Sequence, residues 1–149
     1  MFYFHQFFIF LVWSIGSLNT SVASEKSYGS VTVDEVTSIY DGDTFRVNIH
    51  SWPKIAGKRM PVRINGIDTP ELRAKCQFEK DLAVKAKQFT VSMLRSANKI
   101  ELMNIKRGKY FRIIADVLID RKDLAKSLIA KGLAVKYDGG TKVDWCEKD

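Results

Sequence analysis

At 149 residues and 17.0 kDa, the chain is long enough for one domain with a sizeable core and too short for two of full size. Its 24 Lys and Arg against 17 Asp and Glu give a formal charge of +7. A basic surface of this kind suits a polyanionic partner and by itself says nothing about chemistry.

Residues 1–23 contain no Asp, Glu, Lys or Arg and hold five of the nine Phe. An apolar run over 7–18, followed by small and polar residues ending Ser21-Val22-Ala23, has the pattern of a secretory signal peptide. Cleavage after Ala23 is the preferred boundary, which leaves 24–149 as one domain. The n-region carries only the terminal amine and His5 where Lys or Arg is expected. The apolar stretch also approaches the roughly 20 residues that span a bilayer, so an uncleaved membrane anchor is the alternative. The expected location is secreted or periplasmic. In such a compartment Cys76 and Cys146 are expected to form a disulfide, with two unpaired thiols as the alternative.

After residue 30 there is no repeat or long linker. Segments rich in Val, Ile and Thr at 31–40, 44–50, 60–67, 99–105 and 111–119 predict five strands. Between the third and fourth, residues 79–97 place Leu82, Ala86, Phe89 and Met93 at helical spacing. A second helix is predicted over 123–131, stopped by Gly132. Five short strands with a helix between the third and fourth is the order of an OB-fold: mainly β within the α+β class, a five-stranded barrel with two to three packed helices.

Three segments hold the candidate chemistry. In Tyr40-Asp41-Gly42-Asp43-Thr44, two carboxylates flank a glycine between strands; Asp-Gly there is a hairpin signal in its own right, and Asp43 is also a hard oxygen ligand for a divalent cation. Arg63 precedes Ile67-Asp68-Thr69-Pro70-Glu71 as a strand ends. The plain reading of that segment is a helical turn capped by Asp68 or Thr69, with Pro70 at its first position. The third is the basic cluster Arg107-Gly108-Lys109-Tyr110-Phe111-Arg112, which a solvated loop would also explain. Together they supply what phosphodiester cleavage needs: carboxylates for a metal and for water, and fixed cations for the phosphoryl oxygens. Neither histidine has a patterned partner, so no zinc site is expected.

The succession Asp-Gly-Asp-Thr, then Arg-(x)4-Asp-Thr-Pro-Glu, then Lys-Tyr-x-Arg entering a strand resembles the staphylococcal nuclease family over residues 31–137. The resemblance implies an OB-type barrel and a calcium-dependent hydrolase of DNA and RNA that leaves 3′-phosphate ends. It implies Asp43, Asp68 and the Thr69 carbonyl as ligands of one Ca2+, Glu71 as the residue that orients or deprotonates water, and Arg63 and Arg112 as phosphate-binding residues. Asp41 matches a further acidic position of the first motif, with a supporting role in place of direct ligation. Lys109, Tyr110 and Tyr137 are candidate substrate contacts, packing on the barrel rim being the alternative for the two tyrosines. Phe111 departs from the pattern, standing where the family often has Gly, and residues 51–58 diverge. Single-stranded DNA and RNA are the expected partners, with the protein a monomer lacking an obligate protein partner. The competing expectation is a non-catalytic OB-fold that binds nucleic acid.

Overall fold

The computed structural model describes residues 26–147; the expected signal segment lies outside them. Among the described residues no helix is long and apolar enough to cross a membrane.

The stretch predicted as one strand over 31–40 is divided into β1 (Val31–Thr32) and β2 (Glu35–Ile39). The break has a physical cause in barrel closure. Val33 donates its N–H to the Ile100 carbonyl at 2.9 Å, and the next N–H, that of Asp34, goes to the Asn48 carbonyl at 3.1 Å. One peptide therefore ends the pairing of β1 with β6 (Ile100–Arg107), and the next begins that of β2 with β3 (Thr44–Asn48). With β4 (Met60–Ile64) and β7 (Ile113–Ile119), the sheet runs β1-β6-β7-β4-β3-β2, so its two ends are consecutive pieces of chain. The result is the expected OB-type α+β fold, a curled, mainly antiparallel sheet with one parallel pair, β4 with β7. Short β5 (Ile67–Asp68) pairs with β9 (Val135–Lys136), and β8 (Lys122–Asp123) extends β7.

Alternation builds the core. Every second residue of β7 is buried, from Ile113 through Ala115 and Val117 to Ile119, as the two-residue period of a strand requires. Phe45, Val47, Val62, Ile64 and Leu102 fill the same interior.

Among the described residues, three helices pack around the sheet. The short α1 (Lys54–Gly57) occupies the divergent stretch after Ser51 and has no periodicity long enough to announce it. In α2 (Gln77–Arg95) the buried face differs from the predicted stripe. Ala86 is fully buried as expected, but Leu82, Phe89 and Met93 are only half-buried, and the face is centred on Glu79, Ala83, Ala86, Thr90 and Leu94. Close approach explains this choice. A Cβ on Gly42 would lie 2.9 Å from the Ala86 Cβ and 3.0 Å from Thr69 Cγ2, and the buried Thr90 hydroxyl donates to the Gly42 carbonyl at 2.7 Å. Small residues let the helix clamp the Asp41-Gly42-Asp43 loop, and bulky ones would hold it off. The third helix, α3 (Leu124–Ala130), is capped by Asp123, whose carboxylate accepts the Lys126 N–H at 3.0 Å. It ends on Gly132 at φ +69°, with the Gly132 and Leu133 N–H groups bonded to the Ile129 and Leu128 carbonyls.

No helical turn follows Thr69. The chain from Pro70 to Cys76 is irregular, with one turn closed by the Ala74 N–H on the Glu71 carbonyl, because Glu79 and a disulfide hold this stretch in place of a cap. Cys76 and Cys146 are bonded, with Cα atoms 5.9 Å apart across a separation of 70 residues. Closing so long a loop stabilises by about 4 kcal/mol in the chain-entropy model. Urea unfolding with and without reductant is expected to show a loss of about 2–5 kcal/mol.

Candidate active site

Strand register brings the first two motifs together. Thr44 of β3 lies opposite Arg63 of β4, and the Asp43 carbonyl accepts the Ile64 N–H at 2.9 Å. Because Val62 and Ile64 point into the core, Arg63 between them faces the other way. Its guanidinium forks onto two carboxylates, Nη1 to Asp43 Oδ1 at 2.7 Å and Nη2 to Asp68 Oδ1 at 3.0 Å. Arg63 Nη2 also reaches the Ile67 carbonyl at 3.4 Å.

These residues are out of water: Asp43 and Asp68 are each 2 % exposed, Asp41 9 % and the neighbouring Thr69 3 %. Asp43 accepts further bonds from the Thr44 hydroxyl at 2.8 Å and the Thr69 N–H at 3.3 Å. Asp41 turns back to accept the Asp43 N–H at 3.1 Å, so the hairpin reading and the site reading of this loop hold at once. Burial raises the pKa of Asp41, and it pushes Asp43 up to about 7, with the Asp41 charge adding to the effect against the pull of Arg63. An oxygen-only donor set whose own cations leave a buried carboxylate undercompensated fits a hard divalent cation.

The folded pKa of Asp43 lies above the ordinary 3.8, so folding favours its protonated form. Its contribution to stability is complete below pH 3.8 and is lost as pH rises through about 7. Unfolding in EDTA at about pH 5 and about pH 8 should therefore show Asp43 adding stability at the lower pH, a dependence that Asp43→Asn removes.

A cleft of about 320 Å³ opens beside the acids, lined by Tyr40, Asp41, Thr44, Arg63, Glu71, Arg112, Tyr137 and Lys142. The Glu71 side chain is 53 % exposed in it, while its backbone is fixed by the N–H donated to Glu79 Oε1 at 2.9 Å. Arg112 enters from the β6–β7 loop, where its Nε is buried without a hydrogen-bond partner among the described residues. Gly108 makes room for it, since a Cβ there would lie 3.0 Å from Arg112 Cγ. Tyr110 and Phe111 have φ of 57° and 55°, a region costly for residues with a side chain. Phe111 thus stands at a position suited to Gly, and the Arg107 guanidinium covers its ring at 4.7 Å.

Tyr137 lines the cleft and also a second cavity of about 560 Å³ on its other side, beside Lys126 and Lys136. Lys109 and Tyr110 are exposed on the loop and do not line the cleft. Sequence reasoning missed Lys142, whose Nζ lies 3.0 Å from Asp68 Oδ1 and 2.6 Å from Glu71 Oε1. Partial burial disfavours this ammonium, but the hydrogen bonds it donates to Glu71 and Asp68 outweigh it and raise its pKa. It also missed Glu79 and Tyr40. Among the described residues, one group of three or more His, Cys, Asp and Glu has its ligand atoms gathered within 4.8 Å, namely Cys76, Glu79 and Cys146. Its two sulfurs are spent on the disulfide, so it is no metal centre.

Fold and site together define an OB-type barrel with a carboxylate–guanidinium cluster at the edge of a basic cleft. The sequence profile described as staphylococcal nuclease homologue matches residues 61–147, more than half of the chain, and the protein belongs to that family. Asp41 and Asp43 lie upstream of the matched region and reach the site through the β3–β4 register. The chain is 28 % identical to a probable endonuclease of Schizosaccharomyces pombe, over 85 % of this chain and 64 % of that protein. It is 29 % identical to a probable endonuclease of Pyricularia oryzae, over 69 % and 48 %, and 23 % identical to one of Penicillium rubens, over 95 % and 58 %. The chain thus spans about half to just under two thirds of the length of these curated relatives.

Proposed function

We propose that the protein is an exported, monomeric, calcium-dependent endonuclease that hydrolyses phosphodiester bonds of DNA and RNA and leaves 3′-phosphate ends. The observation that carries this reading is the Arg63 fork between two buried carboxylates, at the edge of a cleft shared by Glu71 and Arg112. Membership of the family and the probable endonuclease function of the relatives support it, and the apolar N-terminal segment supports export. A pure polyanion binder has no use for Asp43, Asp68 and Glu71 beside the phosphate, where unmetallated carboxylates repel it.

Asp43, Asp68 and the Thr69 carbonyl would hold one Ca2+, which when bound neutralises phosphate charge and polarises the phosphoryl group. Glu71, exposed in the cleft and anchored by its backbone, orients the attacking water and accepts its proton. The water oxygen forms the new bond to phosphorus while the bond to the 5′-oxygen breaks. The departing 5′-oxygen takes up a proton, leaving a 3′-phosphate and a 5′-hydroxyl. Arg112 meets the charge growing on the phosphoryl oxygens, and Arg63, once the carboxylates turn to the cation, presents a second planar fork. Tyr137 stacks on a base or sugar, worth about 1–3 kcal/mol per base, and Lys109 and Tyr110 guide the strand beyond the cleft.

Digestion of single-stranded DNA and of RNA in calcium, with the ends typed, tests the proposal. Products bearing 3′-phosphates are expected from both. Products with 5′-phosphates and 3′-hydroxyls, or intact substrate held in a stable complex, would contradict it.

A further inference from the structure

Lys142 has no part in the reaction as set out above, yet its ammonium sits at the centre of the acidic cluster, bridging Asp68 Oδ1 and Glu71 Oε1. The chain delivers it there from a fastened strap. On one side the Tyr137 N–H bonds the Gly66 carbonyl and the Tyr137 hydroxyl bonds the Gly140 carbonyl. On the other side Trp145 is buried at 3 % exposure and Cys146 is bonded to Cys76. Between these anchors the Lys142 side chain is 46 % exposed, so the strap is held while its long, flexible stem can swing.

We propose that Lys142 is a tethered counter-ion that yields Asp68 to a divalent cation, frees Glu71 for the attacking water and, once displaced, takes up the substrate phosphate in the same cleft. The inference rests on the nuclease reading and concerns the regulation of that site. An ammonium and a metal ion cannot both be the close cation of one carboxylate oxygen without mutual repulsion. Arg63 is held between Asp43 and Asp68 by a two-pronged fork at 15 % exposure, so the half-exposed lysine is the first cation to give way. It already lines the same cleft as Arg112. The arrangement supplies part of the charge that the empty cluster lacks and offers a cation to the phosphate only when metal has arrived.

The test is calorimetric titration of the protein with CaCl2, then, at saturating calcium, with thymidine 5′-monophosphate, for wild type, Lys142→Met and Lys142→Arg. Removing the competing ammonium from Asp68 and Glu71 should tighten calcium binding by Lys142→Met about threefold to tenfold. The same variant should weaken nucleotide binding about threefold or more, while Lys142→Arg stays near wild type in both. A thermal melt establishes that each variant is folded. Calcium binding by Lys142→Met that is unchanged or weaker overturns the counter-ion role, and unchanged nucleotide binding overturns the phosphate role; in either case the nuclease reading stands. Wild type that takes up no calcium removes that reading and this inference together.

Discussion

Glu71→Gln is expected to lower kcat on single-stranded DNA by about 10²–10⁴-fold, the usual contribution of a positioned general base. The substitution keeps shape and hydrogen-bonding capacity and removes the ability to accept a proton or draw in water by charge. It is also structurally mild. The side chain is half exposed, and the contact that fixes this segment runs from the Glu71 backbone to Glu79, which the substitution does not touch. Stability should change by no more than about 0.5 kcal/mol, and KM should move far less than kcat. Single-turnover rates at saturating calcium, with a thermal melt beside them, measure both. A rate within tenfold of wild type would remove Glu71 from the chemical step.

The two arginines should separate under the same treatment. Arg112→Lys is expected to cost about 10²–10³-fold in kcat, the loss seen when one donor to a developing oxyanion is removed, because an ammonium cannot reproduce a planar fork. No carboxylate contact of Arg112 appears among the described hydrogen bonds, so the fold should tolerate the change. Arg63→Ala is different. It takes the cation partner from Asp43, 2 % exposed, and leaves Asp68 with Lys142 alone, and leaving a buried charge without its partner costs about 3–5 kcal/mol. Calcium should restore much of that stability to Arg63→Ala, since the cation supplies the missing charge, while activity stays depressed. Equal loss of stability in Arg112→Lys and Arg63→Ala, or full activity in either, would contradict the assignment.

The strands that surround the site were legible because alternation is written locally: β3, β4 and β7 fall within the predicted segments, and β6 overlaps 99–105 and runs two residues past it. The break at Val33 and Asp34 was not, since it follows from two edges of the sheet meeting, a property of the closed barrel and of no single segment. The buried face of α2 was misjudged for a related reason. Hydrophobic spacing favours Leu82, Phe89 and Met93, whereas the loop holding Asp43 requires small residues against it, and the need for close approach overrode bulk. Asp43, Arg63, Asp68, Glu71 and Arg112 could be nominated from residue type and order, and Thr69 from the family resemblance. Lys142 could not, because it lies 71 residues from Glu71. One signal pointed to it: a bond between Cys76 and Cys146 brings the tail, and the lysine four residues before its cysteine, back beside Glu71. Glu79 reads in sequence as an ordinary first-turn acid, and only its reach to the Glu71 N–H gives it a task.

The most direct test of the central claim is the rate of single-stranded DNA hydrolysis by the protein in calcium, after chelation with EDTA, and after calcium is restored. Cutting that is lost on chelation and returns with calcium is the predicted result. Cutting that persists in excess chelator, or tight binding without cutting at any calcium concentration, would contradict the account.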